Sequence, residues 1–478
     1  MKIIIVGCGK IGYTIAKVLS EKADIDVTVV DKDPAVFDHT EPIDVIFITG
    51  NGANEKILIE AGAKEADLIV CTTNADEFNV LCCIMAKRLG TKHAVARVRN
   101  PEYMLEFNRL WKDLGIDMVI NPERQTAREI SRILRYPAAD KVDTFVDGRV
   151  ELVAFRISET AEYFVGKSVA QLFNKEMGIL LATVEREREA MIPDGSFVFR
   201  EDDIVRIMGR PSQIMKFLVQ IQRRPKKTQE VMVIGGGKIT HYLAELLGRH
   251  TARTNLKIIE KDREKCIALS EALSSSAALE RRCLFLHGDG GNEELLNAEG
   301  IDRMDAFICL TDRDEENVFI SLYALRKGVK KVITKISHIQ PSMAENLGLG
   351  NMIMPQNITA KTVSRYVDGL TGAIGSNILT MHRIFTGGDR SVEAMEFQVH
   401  KKARCIDTPL KDLRLKKGIL IGCISRDAEI IIPSGGTEIR IGDSVIVISK
   451  GHEIRELDDI LANPIDMLAD ALRHGQEG

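Results

Sequence analysis

No apolar run in this chain of 478 residues approaches the ~18 that a membrane-crossing helix needs, so any membrane role has to come through a partner. No charge of one sign dominates either. The 65 lysines and arginines stand against 69 interspersed aspartates and glutamates, a net charge of −4, which gives no footprint for nucleic acid. The nine cysteines are scattered without a C-x-x-C, and no secretory signal precedes the first apolar segment; reduced, mostly packed cysteines in a cytoplasmic protein are the expectation. No cluster of acids, histidines or cysteines suggests a catalytic group or a metal ligand set.

What the chain does have is a glycine signature, present twice. Lys2 to Val6 is a short β-branched run that suits a strand buried on both faces of a parallel sheet. Gly7, Gly9 and Gly12 then fit G-x-G-x-x-G, and Ile11, Ile15, Val18 and Leu19 follow at helical spacing. In that context Gly7 serves the tight turn, Gly9 lets backbone approach a pyrophosphate, Gly12 permits close packing of helix on strand, and the helix start attracts the anion. A second strand, Val27 to Val30, ends at Asp31, 24 residues after Gly7. A carboxylate there accepts both ribose hydroxyls and repels a 2′-phosphate, favouring NAD or an adenosine phosphate over NADP.

The second copy runs from the strand Val231 to Ile234 through Gly235, Gly236 and Gly237 to a helix stripe of Ile239, Tyr242, Leu243, Leu246 and Leu247, and on to Glu260. Further pairs agree: "GNGANEKILIEAGAKEADLIVCTTNADEFNV" from Gly50 answers "GDGGNEELLNAEGIDRMDAFICLTDRDEENV" from Gly288, an offset of 238. Repetition over a whole domain length is thus the architectural fact about this chain, and its length suits three or four domains.

Between the copies the pattern changes. "TFVDGRVELVAFRISETAEYFVGKSVAQL" from Thr144 reads as short alternating strands and a small helix, and "GILLATVEREREAMIPDGSFVFREDDIVRIMG" adds strands and turns, giving a compact α+β module. It recurs near the C-terminus, where Pro433 matches Pro193 and Asp443 matches Asp203. The charged segment Gln222 to Glu230, with Pro225 inside it, is the expected linker between halves. Two amphipathic stretches join each glycine-rich unit to its module: Ile130, Ile133 and Leu134 stripe the first, Val363, Tyr366 and Val367 the second. They either cover their own domain or cross to a neighbouring unit and mediate dimerisation; periodicity does not distinguish the two.

The four-part order, the paired fingerprints, "CTTNADEFNV" with "CLTDRDEENV", and "ARVRNPEY" together closely resemble the TrkA-type regulatory subunits of bacterial potassium uptake systems, built of tandem RCK (KTN) domains. The resemblance covers essentially the whole chain. It implies two Rossmann-like, doubly wound parallel-sheet α/β domains, at 1–138 and 228–386, each followed by a small α+β RCK C-type domain, at 139–222 and 387–478. It also implies a cytoplasmic gating ring, a dimer or tetramer of chains, held peripherally on a membrane-embedded potassium channel or transporter subunit. Its ligands would be NAD(H), or ATP and ADP. The family's nucleotide contacts fall here on Gly7, Cys8, Gly9, Lys10, Ile11 and Gly12, on Asp31, on Thr73 and Asn74 after the fourth strand, and on Arg97, with Asn51 passing over the adenosine. In the second copy the same places are Gly235, Gly236, Gly237, Lys238, Ile239, Glu260, Asp289, Thr311, Asp312 and Lys335. Thr73 and Asn74 sit where a parallel strand ends, the edge at which open α/β sheets bind ligands, and Arg97 can neutralise phosphate or stack beside adenine.

Two departures set the second copy apart. Thr240 replaces the third glycine, adding bulk where helix meets strand, and Lys335 replaces Arg97, giving up planar bidentate geometry. A dehydrogenase shares the first fingerprint but also needs an acid or base beside the nicotinamide. The ten histidines supply none. His39 and His93 fall in the glycine-rich units, His400 and His452 stand outside any constellation, and His241, after Thr240, is either a phosphate-tuning group or a surface residue. A nucleotide-sensing regulator of another ion transporter is the remaining alternative, since potassium rests on the resemblance alone.

Overall fold

In the computed structural model the opening apolar run is β1 (Lys2–Val6), buried from Ile3 onward because β2 (Asp26–Asp31) pairs with one edge and β4 (Leu68–Cys71) with the other. The structure describes every residue except 23, 39–41, 101–102, 104–109, 137–138, 140, 158–160, 188, 222–228, 251–253, 275–276, 340–346, 350, 372–377, 386–391, 400–402, 428, 453 and 463–478. All but the last two residues of the expected linker lie outside the described residues, as do His39, His400, and Pro101 and Glu102 of "ARVRNPEY".

With β3 (Ile46–Thr49), β5 (His93–Arg97) and β6 (Met118–Ile120), the first sheet is wholly parallel in the order β3-β2-β1-β4-β5-β6. The order reverses between β1 and β4, so the loops after these two strands flank a crevice at the carboxyl edge. Further along come β7 (Lys141–Phe145), β8 (Val150–Arg156), β9 (Ile179–Arg186), β10 (Glu189–Met191) and β11 (Ile204–Gly209), an antiparallel sheet ordered β10-β9-β11-β8-β7. The second parallel sheet holds β12 (Glu230–Ile234), β13 (Asn255–Glu260), β14 (Cys283–His287), β15 (Ala306–Cys309), β16 (Lys331–Lys335) and β17 (Asn351–Ile353), in the order β14-β13-β12-β15-β16-β17. Last come β18 (Ile378–Phe385), β19 (Val392–Gln398), β20 (Ile419–Arg426), β21 (Glu429–Ile431) and β22 (Ser444–Lys450), ordered β18-β19-β22-β20-β21. Each sheet repeats the topology of its counterpart strand for strand.

Like associates with like. One compact unit gathers residues 1–135 and 228–366, the other 136–227 and 367–478, so the order along the chain is not the order in space.

In the first unit, the helix Pro122–Arg135 starts with proline at its first position and closes with Arg132 and Arg135 in its last turn. Its stripe of Ala127, Ile130 and Leu134 is buried among Ile239, Tyr242, Leu243 and Leu247 of the helix Lys238–His250 in the other copy. Burying Ile130 and Leu134 there contributes about 3–6 kcal/mol. The return crossing is made by the helix Pro355–Thr371. Its Thr359 and Thr362 hydroxyls bond Gln125, each at 3.3 Å, and its Tyr366 ring lies edge-on to His93. Each amphipathic stretch therefore crosses to the neighbouring parallel-sheet domain of the same chain.

In the second unit, β8 departs from the expected alternation: six of its seven residues are buried. One face packs Val153 and Phe155 with Phe164 and Phe217, while Val150 and Leu152 on the other meet Ala394, Ile446 and Ile448 of the partner module, so neither face is left to water. The matched Asp203 and Asp443 are structural. Each is 1% exposed and takes a two-pronged ion pair, from Arg186 at 2.8 and 2.7 Å and from Arg426 at 2.9 and 2.8 Å.

Candidate functional site

Gly7 takes φ +97°, a left-handed conformation that glycine alone adopts cheaply, and a side chain there would press on the Thr73 backbone at 3.0 Å. Gly9 is different: a Cβ added to it meets nothing within 4 Å, so its open side faces the crevice. It is also the N-cap of the helix Lys10–Ser20, which has no side-chain cap, leaving the first turn's N–H groups and the positive helix end directed at an incoming anion. Gly12 is obligatory for packing, because a Cβ there would lie 1.8 Å from the Gly7 carbonyl oxygen. Asp31 closes the loop from β2, accepting from Cys8 N at 2.6 Å and Asp33 N at 3.0 Å.

Across the crevice, Thr73 is held by Asn79, a residue the sequence reading passed over. The Asn79 side-chain oxygen accepts from Thr73 N (2.8 Å) and Oγ1 (2.7 Å), while its amide donates to the carbonyls of Thr73 and Arg97, tying the ends of β4 and β5 together. Asn317 does the same for Thr311 and Lys335. The shared N-V at offset 238 was the available signal. Asn51 turns its own loop by accepting from Ala53 N at 2.9 Å.

Every departure of the second copy turns out to be one half of a compensated exchange. In the first copy the hydroxyl that satisfies the Gly7 carbonyl comes from Thr72, at 3.0 Å; in the second, Leu310 stands at that strand end and the Thr240 hydroxyl reaches the Gly235 carbonyl from the helix, at 2.5 Å. Thr240 thus replaces a hydrogen bond as well as adding bulk. The middle glycine of Gly235-Gly236-Gly237 answers the longer acid. Glu260 folds over Gly236, where an added Cβ would meet its side chain at 3.1–3.2 Å, and accepts from Gly236 N at 2.5 Å.

The third exchange moves a charge. Arg97, 8% exposed, pairs with Glu123 at 3.3 Å and makes long contacts to the Thr72 carbonyl and Asn74. Burial pushes this guanidinium below its ordinary range, with Glu123 opposing. Arg97 Nε and Glu123 Oε2 are buried without a hydrogen-bond partner. In the second copy Lys335 pairs instead with Asp312, at 3.0 Å, holding that carboxyl below its usual value, and Gln356 stands where Glu123 stands in the first. The triads Asn74, Arg97, Glu123 and Asp312, Lys335, Gln356 carry the same net charge with the acid relocated.

The two crevices open into one cavity of about 1170 Å³, above the ~300–1,000 Å³ of an ordinary small-molecule site. The first copy supplies Gly7, Gly9, Lys10 and Ile11, then Asp31 and Asn51, then Thr73, Asn74 and Arg97. The second supplies Gly237, Lys238, Ile239, Asp312 and Lys335. Cys8 and Gly12 lie behind the wall as buried supports, and Gly235, Gly236, Glu260, Asp289 and Thr311 do not line this cavity. Lys32, Glu123, Ser337 and Gln356 do, and were not anticipated. His241 is not part of it, standing 3.7 Å from Glu245 and edge-on to Tyr242. The lining suits an elongated anionic ligand: open glycine backbone, a helix N-terminus and five cations within reach of one volume, with carboxylates at its ribose end.

The TrkA-N domain model matches residues 3–122 and 231–355, and the TrkA-C domain model matches 152–222 and 394–462. The Trk system potassium uptake protein TrkA homolog 1 of Methanosarcina mazei is 32% identical, over 96% of this chain and 99% of its own length. The TrkA homolog of Archaeoglobus fulgidus is likewise 32% identical, over 96% and 100%. Among solved structures, the GsuK RCK domain superposes with a TM-score of 0.59 at 17% identity, covering 98% of this chain and 94% of that one. The GsuK channel bound to NAD gives 0.59 at 18% identity, over 94% and 76%. The fold is therefore that of tandem RCK domains, and the chain belongs to the TrkA family of Trk system potassium uptake proteins.

Proposed function

We propose that this chain is the nucleotide-binding regulatory subunit of a Trk-type potassium uptake system, acting on the cytoplasmic side through a membrane-embedded partner. The chain is a regulator, not an enzyme. The observation that carries the reading is the shared cavity, in which glycine loops from both copies, Lys10, Lys238 and Arg97 converge beside Asp31. NAD(H), ATP or ADP would be held there with pyrophosphate on the Gly9 loop and helix start and ribose at Asp31. Because both copies wall the volume, a ligand touching both biases how they sit against each other, and a ligand moves an equilibrium only through such differential contact. A ring of copies has separate support. Leu81 and Phe319 occupy equivalent places on the helices Asp76–Leu89 and Asp314–Arg326 and are 47% and 72% exposed.

The test is reconstitution with the membrane subunit, measuring potassium flux with NAD, NADH, ATP and ADP. Flux that responds to nucleotide in the native complex and not in Gly9→Val, where a branched side chain fills the open side of the loop, is the expected result. Flux indifferent to all four nucleotides, or a strict monomer by light scattering, would overturn the proposal.

A further inference from the structure

We infer that the second copy's nucleoside end is closed by its own side chains, so that each chain holds one nucleotide tightly, on the first copy, with Asp289 setting the difference. This rests on the nucleotide-binding reading above. The two ribose-side corners are built from corresponding residues: Asp31, Lys32 and Asn51 in the first copy, Glu260, Lys261 and Asp289 in the second. All three of the first corner line the cavity; none of the second does.

The reason is one substitution. Asn51 is neutral and cannot neutralise Lys32. Asp289 can pair with Lys261, and does, Nζ to Oδ2 at 2.6 Å, with the other carboxylate oxygen taken by Gly291 N at 2.9 Å. The pair ties the end of β13 to the loop after β14 across the place where Asn51 would pass over an adenosine in the first copy. His287 Nε2 adds a contact to the Lys261 carbonyl at 3.1 Å. Glu260 keeps the two backbone bonds that Asp31 makes, from Gly236 N (2.5 Å) and Asp262 N (2.8 Å), with its extra methylene lying over Gly236. A nucleoside entering this corner must break an ion pair and then sit beside two carboxylates, where the first copy offers one carboxylate and a neutral amide that donates as well as accepts. At the phosphate end the second copy stays open, through Gly237, Lys238 and Ile239. It therefore contributes to the shared cavity without offering a complete site of its own.

The pair is solvent-exposed, so its removal is worth only about a twofold to fivefold change in affinity. The experiment is calorimetric titration of the full chain with NADH and with ATP. The native chain should show one tight event per chain, removed by Gly9→Val, which leaves only weak binding. Adding Asp289→Asn to Gly9→Val should tighten that weak phase about twofold to fivefold. Adding Lys261→Met instead, which strands the carboxylate, should loosen it. Opposite directions separate a ligand effect from mere destabilisation. The inference is overturned if both substitutions shift affinity the same way, if Asp289→Asn changes nothing, or if the native chain binds two equivalents with equal affinity; that last result leaves the nucleotide reading standing. A native chain that binds neither nucleotide overturns both.

Discussion

Replacing Glu123 by glutamine should weaken the empty protein and strengthen its grip on an anionic ligand. The Glu123 carboxylate is 3.3 Å from the Arg97 guanidinium, a gross attraction of about 5 kcal/mol at an effective dielectric of ~20. Desolvation of both groups opposes it, and the Glu123 side chain keeps 18% of its exposure, which admits some solvent screening. Glutamine preserves the shape and one acceptor but leaves a buried cation unpaired. We expect a net loss of about 2–3 kcal/mol, somewhat below that for breaking a fully buried pair. In a unit of this size that lowers the apparent Tm by about 5–10 °C. The same change frees Arg97 for phosphate, and one charge-assisted hydrogen bond is worth about tenfold in Kd. Adding Asn74→Asp transplants the second copy's arrangement: the new carboxylate stands where Asn74 Oδ1 lies, 3.5 Å from Arg97 Nη1, and should restore the Tm while removing the affinity gain. Thermal melts and nucleotide titrations of the three proteins read both quantities. If Glu123→Gln leaves the Tm unchanged, or lowers stability and affinity together, the account of the buried pair is wrong.

Gly12→Thr should cost about 1–3 kcal/mol, since its Cβ would lie 1.8 Å from the Gly7 oxygen. Thr72→Leu should cost about 1 kcal/mol through its lost bond to that carbonyl. Combined, they reproduce the pairing of Thr240 with Leu310, so the double variant should recover about 1 kcal/mol or more relative to the sum, measured as a double-mutant cycle by thermal unfolding. For Asp314, burial works to raise the carboxyl, but the backbone N–H groups of His338, Ser337 and Ile339 outweigh it and hold it below its ordinary 3.8. Asp314→Asn should therefore destabilise by about 1–3 kcal/mol at neutral pH. The difference is fully present above the unfolded value of ~3.9 and lost as pH falls through the depressed folded value, which melts at pH 7 and near pH 3 would show.

The duplication, the strand-glycine-helix order and the acid at the end of β2 are written in local sequence, because a buried parallel strand, a tight glycine turn and an amphipathic helix each follow from neighbours within a few residues. That is why Gly7, Gly9, Asp31 and Thr73 were legible as cavity residues. The α+β modules were legible as modules, but β8 was not legible as a strand buried on both faces, because what covers its second face is another sheet more than 200 residues away. Neither were Glu123 and Gln356, whose importance comes from helices that cross between the copies. The second copy's departures looked like losses one residue at a time: Thr240 as bulk, Lys335 as weakened geometry. Their compensations, Leu310 and Asp312, lie 70 and 23 residues away and meet them only in the folded chain, since a hydrogen bond or an ion pair is decided by distance in space. Likewise, two fingerprints in sequence imply two sites. Only the tertiary pairing of the two parallel sheets made their crevices one cavity, and only one side chain, Asp289 rather than asparagine, placed an ion pair in its second corner.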